Sequence, residues 1–154
     1  MAHDGVRLQT VDSIPLAVVR LQTRQADLPR VIPENCGVVW NALKAQGRRG
    51  GRHVAFYREW HPVIHLDVGA EMFEPFAERD GLVRSATPAG PCAAVTYFGP
   101  YHEMQPAHDA VHAWCKAGAH RLAGPSWEIY GHWQSEWDDD PSRIRTDIYD
   151  LLQP

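Results

Sequence analysis

The stretch Trp127-Glu128-Ile129-Tyr130-Gly131-His132-Trp133 carries the pattern on which the fold turns. Side chains alternate sides along a strand. Trp127, Ile129, Gly131 and Trp133 therefore share one face, and Ser126, Glu128, Tyr130 and His132 the other. The first face is core-like. The second sets a carboxylate in mid-strand among polar and aromatic neighbours, although glutamate is depleted in strands. On these residues alone a solvated Glu128 is the simpler reading. If aromatics instead wall that face, Glu128 is a partly desolvated anion that attracts a cation, and aromatic faces would assist it.

Working outward, the same order of elements occurs twice. Pro15 to Leu21 is a short Val/Leu-rich strand. A helix follows, with Asp27 as N-cap or Pro33 in its first turn, and with Ile32, Cys36, Val39 and Leu43 on one face. His53–Trp60 and Val63–Val68 are strands flanking His61-Pro62, in hairpin order. Residues 70–81 are a loop between halves, and Leu82 to Arg84 is a short extended piece. Pro91 to Phe98 is a strand. Met104, Ala107, Val111, Trp114 and Gly118 mark one helical face. Gly124-Pro125 is a turn, Trp127 starts the next strand, and Thr146 to Leu151 is the last. Pro15 and Pro91, Trp40 and Trp114, and Tyr57 and Tyr130 stand about 76, 74 and 73 residues apart. The expected fold is α+β. One domain over residues 1–154 holds two βαββ pseudo-repeats, about 14–70 and 82–152, with sheets joined antiparallel, helices on one face and a ligand groove on the other. Aligning Tyr57 with Tyr130 sets Ala55 opposite Glu128, so the duplication yields two tyrosines and one carboxylate.

Composition narrows the function classes. With 154 residues, 44% of them hydrophobic and 22% charged, the chain suits one globular domain and not a disordered segment. A net charge of −4 disfavours nucleic-acid phosphate and suits a neutral or cationic ligand. Cys36, Cys92 and Cys115 are odd in number and form no CxxC pair, which points to reduced core thiols. The N-terminus lacks a signal-peptide pattern, and no run approaches the roughly 18 apolar residues of a membrane span. The cytoplasm is the expected location.

Other chemistries find little support. His108 and His112 stand at i and i+4 and could face one metal, but no HExxH pattern accompanies them and a solvated helix face is the simpler reading. No GxSxG and no Walker pattern is present. Trp40 and Trp114, on helices, are expected in the core. Trp60 and Trp137, at strand ends or loops, could line a groove. No metal and no cofactor is expected.

The run Phe98-Gly99-Pro100-Tyr101-His102-Glu103-Met104, the helix with Trp114, Gly124-Pro125-Ser126-Trp127-Glu128-Ile129-Tyr130, Asp140-Pro141 and Thr146-Asp147-Ile148-Tyr149 together resemble the GyrI-like small-molecule-binding family. That family resembles the effector-binding domains of AraC-type and MerR-type regulators. The resemblance spans about Pro15 to Leu152. It implies a groove glutamate at Glu128 that binds cationic, aromatic ligands, with Tyr130 matching the family tyrosine two residues on. Tyr57, Tyr149, Trp60 and Tyr97 are further ligand-binding candidates. The terminal strand usually reads Thr-Glu-Ile-Tyr, and the shorter Asp147 puts a ligand role for that position in doubt. About fourteen residues precede Pro15, so the expectation is a stand-alone member without a helix-turn-helix, with a separate regulator protein as possible partner. The expected function is binding of hydrophobic, cationic compounds for sensing or sequestration. Two alternatives stay open. One is hydrolysis of cyclopropane-type electrophilic genotoxins, with Glu128 and Tyr130, Tyr57 or Tyr149 as catalytic base and acid. The other is haem or tetrapyrrole binding, since histidines are plentiful.

Overall fold

The computed structural model describes residues 3–154. Eight strands form a sheet, and two helices pack on it. The strands are β1 (Arg7–Val11), β2 (Pro15–Thr23), β3 (His53–Glu59), β4 (Ile64–Glu71), β5 (Val83–Ala86), β6 (Gly90–Phe98), β7 (Leu122–Tyr130) and β8 (Arg145–Leu152). The helices are α1 (Leu28–Ala45) and α2 (Gln105–Ala117). The class is α+β, and every strand pairing is antiparallel.

Sheet order is β1-β6-β8-β7-β3-β4-β2-β5. Counterpart strands sit at mirrored places in that order, so the two βαββ units, β2-α1-β3-β4 and β6-α2-β7-β8, meet at β3 and β7. Strand β1, within the unpatterned N-terminus, adds to β6, and β5 adds to β2. Each thereby extends the opposite half.

Both helices lie on one face. α1 covers β2 and β4, where Val39, Ala42 and Leu43 pack with Ala17 and Ala70. α2 covers β6 and β8, where Ala107, Val111 and Cys115 pack with Ala93, Val95 and Ile148. This leaves the central β3–β7 pair uncovered between the helices. The groove is there, on the helix-bearing face and not on the opposite one as expected. The opposite face packs on itself: Leu16, Val18, Val54, Phe56, Cys92, Trp127 and Ile129 form one buried cluster, with Val11 and Ile14 against it. Gly69 permits a close strand approach there. A Cβ on it would fall 1.9 Å from the Ala17 carbonyl oxygen, so no side chain is tolerated.

Two further expectations are corrected. Trp40 is half-exposed, not core: α1 presents Val39 and Leu43 to the sheet and turns Trp40 toward the groove. Strand β7 begins at Leu122, ahead of the Gly124-Pro125 turn, through a bulge between Leu122 and Ser126. It ends at Tyr130, so Trp133 is not a core strand residue and is 53% exposed.

Candidate functional site

The floor of the groove is built by alternation. Ser126, Glu128 and Tyr130 of β7 and Ala55 and Tyr57 of β3 point toward the helices. Trp127 and Ile129 point to the packed face. Ala55 pairs directly with Glu128 in the β3–β7 ladder. Pseudo-symmetry and physical pairing therefore coincide: the lone carboxylate stands on the axis relating the halves. α1 supplies Ile32, Cys36 and Trp40 to one wall, and Met104, just ahead of α2, with His108 and His112 of α2, forms the other. The groove holds about 2120 Å³ and is open. That exceeds the usual drug-sized pocket, so a ligand would fill part of its length.

Glu128 is 7% exposed, and both its carboxylate oxygens are engaged. Tyr130 donates its hydroxyl to Oε1 at 2.5 Å. His108, from α2, donates Nε2–H to Oε2 at 2.7 Å. Burial disfavours a charged His108, but the hydrogen bond and charge of Glu128, with Asp150 adding, outweigh it and raise its pKa despite opposition from His112. Burial and then the Glu128 charge push the Tyr57 and Tyr130 phenols well above the usual range, so both stay protonated near neutrality. His112 lies 3.8 Å from Asp150, and this contact raises its pKa. Burial lifts the Cys36 thiol to about 11, so it is an inert wall.

Aromatic surfaces surround the carboxylate. Tyr57 and Trp60 stack with centroids 4.2 Å apart, and the Trp60 indole donates to the Ser126 hydroxyl at 3.0 Å. Tyr101 meets Tyr130 edge to face at 5.5 Å. The arrangement offers the buried carboxylate of Glu128 inside a largely apolar, aromatic slot, with Asp150, 6% exposed, as a second carboxylate lining the same groove.

The structure brings Glu128, Tyr130, Tyr57 and Trp60 together in the groove. It does not bring Tyr149 or Tyr97 there. Tyr149 falls on the packed face and stacks on Trp127 at 5.6 Å, because β8 alternation turns Ile148 and Asp150 toward the helices instead. Tyr97 is buried beneath α2 and donates its hydroxyl to the Pro100 carbonyl. Asp147 is also on the packed face, accepting from Thr96 at 2.7 Å. His108 was missed as a site residue. Its spacing to His112 suggested metal or solvent, yet the structure sets each histidine against a sheet carboxylate.

The GyrI-like small molecule binding domain model matches residues 63–150, more than half of the chain. The chain belongs to the GyrI-like family. No curated protein matches it at the sequence level. Solved structures share its fold. The EcmrR C-terminal domain superposes with a TM-score of 0.73 at 16% identity, covering 99% of both chains. In the EcmrR–DNA complex the match covers 99% of this chain but only 58% of that one, with a TM-score of 0.75 at 17% identity. SAV2435 bound to tetraphenylphosphonium gives 0.70 at 15% identity, covering 97% of this chain and 94% of that one. A Listeria innocua hydrolase encoded by lin2189 gives 0.61 at 9% identity, covering 97% and 92%. At these identities the likeness speaks for the fold. Among the described residues no helix is long and apolar enough to cross a membrane.

Proposed function

We propose that this GyrI-like domain binds hydrophobic, cationic aromatic molecules in the groove between α1 and α2, with Glu128 as the anchoring charge. The observation that carries the reading is a carboxylate 7% exposed at the floor of a slot walled by Tyr57, Trp60, Tyr101 and Tyr130. A buried anion is costly unless paired, and a lipophilic cation can take the place of His108 as its partner without needing strong hydration. Aromatic faces add about 0.5 to 2 kcal/mol each. That a fold neighbour was solved with tetraphenylphosphonium is in keeping with this class of ligand. Sensing or sequestration, alone or with a separate DNA-reading partner, are the roles such binding would serve.

The test is calorimetric titration with tetraphenylphosphonium and with neutral triphenylphosphine oxide. Glu128→Gln should weaken the cation by roughly tenfold or more, as loss of a charged partner does, and leave the neutral compound nearly unchanged. Equal effects on both would remove Glu128 as a charge anchor.

A second reading rests on the Tyr130 hydroxyl held on Glu128, a base and an acid within 2.5 Å. Hydrolysis of an electrophilic strained-ring compound would use that pair. Product growth beyond one equivalent, abolished in Glu128→Gln, would establish it, and binding without turnover would exclude it.

A further inference from the structure

The groove already holds a titratable partner for Glu128. His108 reaches down from α2 and sets Nε2 at 2.7 Å from Glu128 Oε2. Its side chain is 17% exposed and that of Glu128 is 9%, so the pair is shielded from water and salt. Oε1 is taken by Tyr130, a neutral donor that does not compete for charge. An incoming cation and the His108 imidazolium therefore contend for one negative charge.

We propose that His108 is the specificity-determining residue of the groove: its imidazolium fills the cation subsite on Glu128, and a cationic ligand binds by expelling one proton from His108, whereas a neutral ligand leaves the pair intact. The inference rests on the binding role proposed for Glu128 and adds how that site discriminates charge. Two cations beside one carboxylate repel each other at short range, and the titratable one yields. Charge selection thus follows pH. Under mildly acidic conditions the site is internally neutralised and takes neutral aromatics as readily as cations. As His108 loses its proton, the free carboxylate favours cations.

Other groups face the pair, and among the described residues His108 is the one titratable cation in contact with Glu128. Tyr130 and Tyr57 on the floor stay protonated. Cys36 on α1 stays a thiol. Asp150 on β8 favours a protonated His108, and His112, one turn along α2, opposes it. His112 is 55% exposed at its side chain and addresses Asp150, not Glu128.

The experiment titrates tetraphenylphosphonium, which has no ionisable proton, into the wild-type protein, His108→Gln, His108→Lys and His112→Gln from about pH 5.5 to about 8.5. Each titration is run in two buffers of different ionisation enthalpy, with triphenylphosphine oxide as neutral comparator. The wild type should bind the cation more tightly as pH rises, by up to about tenfold per unit, releasing close to one proton where His108 is charged. His108→Gln should bind it tightly at all pH values with no proton release, and His108→Lys weakly at all of them. His112→Gln should keep the wild-type slope, and the neutral comparator should be flat throughout. A wild-type slope retained in His108→Gln, or lost in His112→Gln instead, would overturn the proposal. So would weaker cation binding by His108→Gln than by wild type. If none of the four proteins binds the cation at any pH, the groove reading itself fails and this inference with it.

Discussion

Ala55 and Glu128 are direct cross-strand partners at the centre of the sheet, on the axis that relates its two halves. Equivalent positions of a duplicated unit are thereby in contact, and only one of them is charged. Symmetry there would be costly, because two carboxylates facing each other in a slot could not both ionise.

Ala55→Glu tests that directly. Ala55 is fully buried, and the new side chain would be forced against Glu128, Tyr57 and the helices. Destabilisation on the order of 3 kcal/mol or more is expected from overpacking and like charge together. Urea unfolding measures it. A variant as stable as wild type would mean that the pair is less enclosed than described.

Trp40 separates binding from stability. It is 50% exposed and lines the groove rim. Trp40→Ala should change unfolding free energy by no more than about 1 kcal/mol, as for other surface positions. Affinity for a cationic dye should fall several-fold through lost aromatic contact. Calorimetry and urea denaturation on the same preparation check both halves of the expectation.

Trp60 and Tyr149 form a contrasting pair. Trp60→Ala removes the Tyr57 stack and the bond to Ser126 inside the groove, and dye affinity should drop by about 0.5 to 2 kcal/mol. Tyr149→Ala removes the Trp127 stack on the packed face. It should cost stability, on the order of 2 kcal/mol, while affinity stays within twofold. The reverse pattern would place the ligand on the wrong side of the sheet.

Stability should also vary with pH through the α2 histidines. The folded state raises the pKa of His108 and His112 above 6.5. Their contribution is fully present below that value and is lost as pH rises through the raised ones. His53 runs the other way. Burial, with His132 nearby, lowers its pKa, so its contribution is present above 6.5 and is lost as pH falls through the lowered value. The double variant His108→Gln/His112→Gln should therefore lose less stability than wild type between about pH 6 and about pH 8. Parallel losses in denaturant titrations would show that the histidines are not stabilised as cations.

Much of this architecture was legible in the residues. Alternation along Trp127–Tyr130 split the packed face from the groove face, and landmark spacing anticipated the doubled unit. What escaped depends on contacts between distant segments. Arg7–Val11 has a polar, half-buried pattern, and only pairing with β6 makes it a strand. Trp40 lies next to Val39, and helical spacing did not say which apolar stripe would meet the sheet. The groove side depended on how far each helix reaches: both cover outer strands and leave the middle bare. Tyr149 belongs to the terminal-strand motif, but the β8 register, which the motif does not reveal, turns it to the packed face. His108 pairs with a residue twenty positions away on another element, which local spacing cannot reveal.

The most direct test of the account is a crystal structure of the protein soaked with tetraphenylphosphonium. The phosphorus should lie within roughly 6 Å of the Glu128 carboxylate, with phenyl rings against Tyr57, Trp60 or Tyr130. Density for the cation in the opposite cleft, beside Trp127 and Tyr149, with an unoccupied groove, would contradict it.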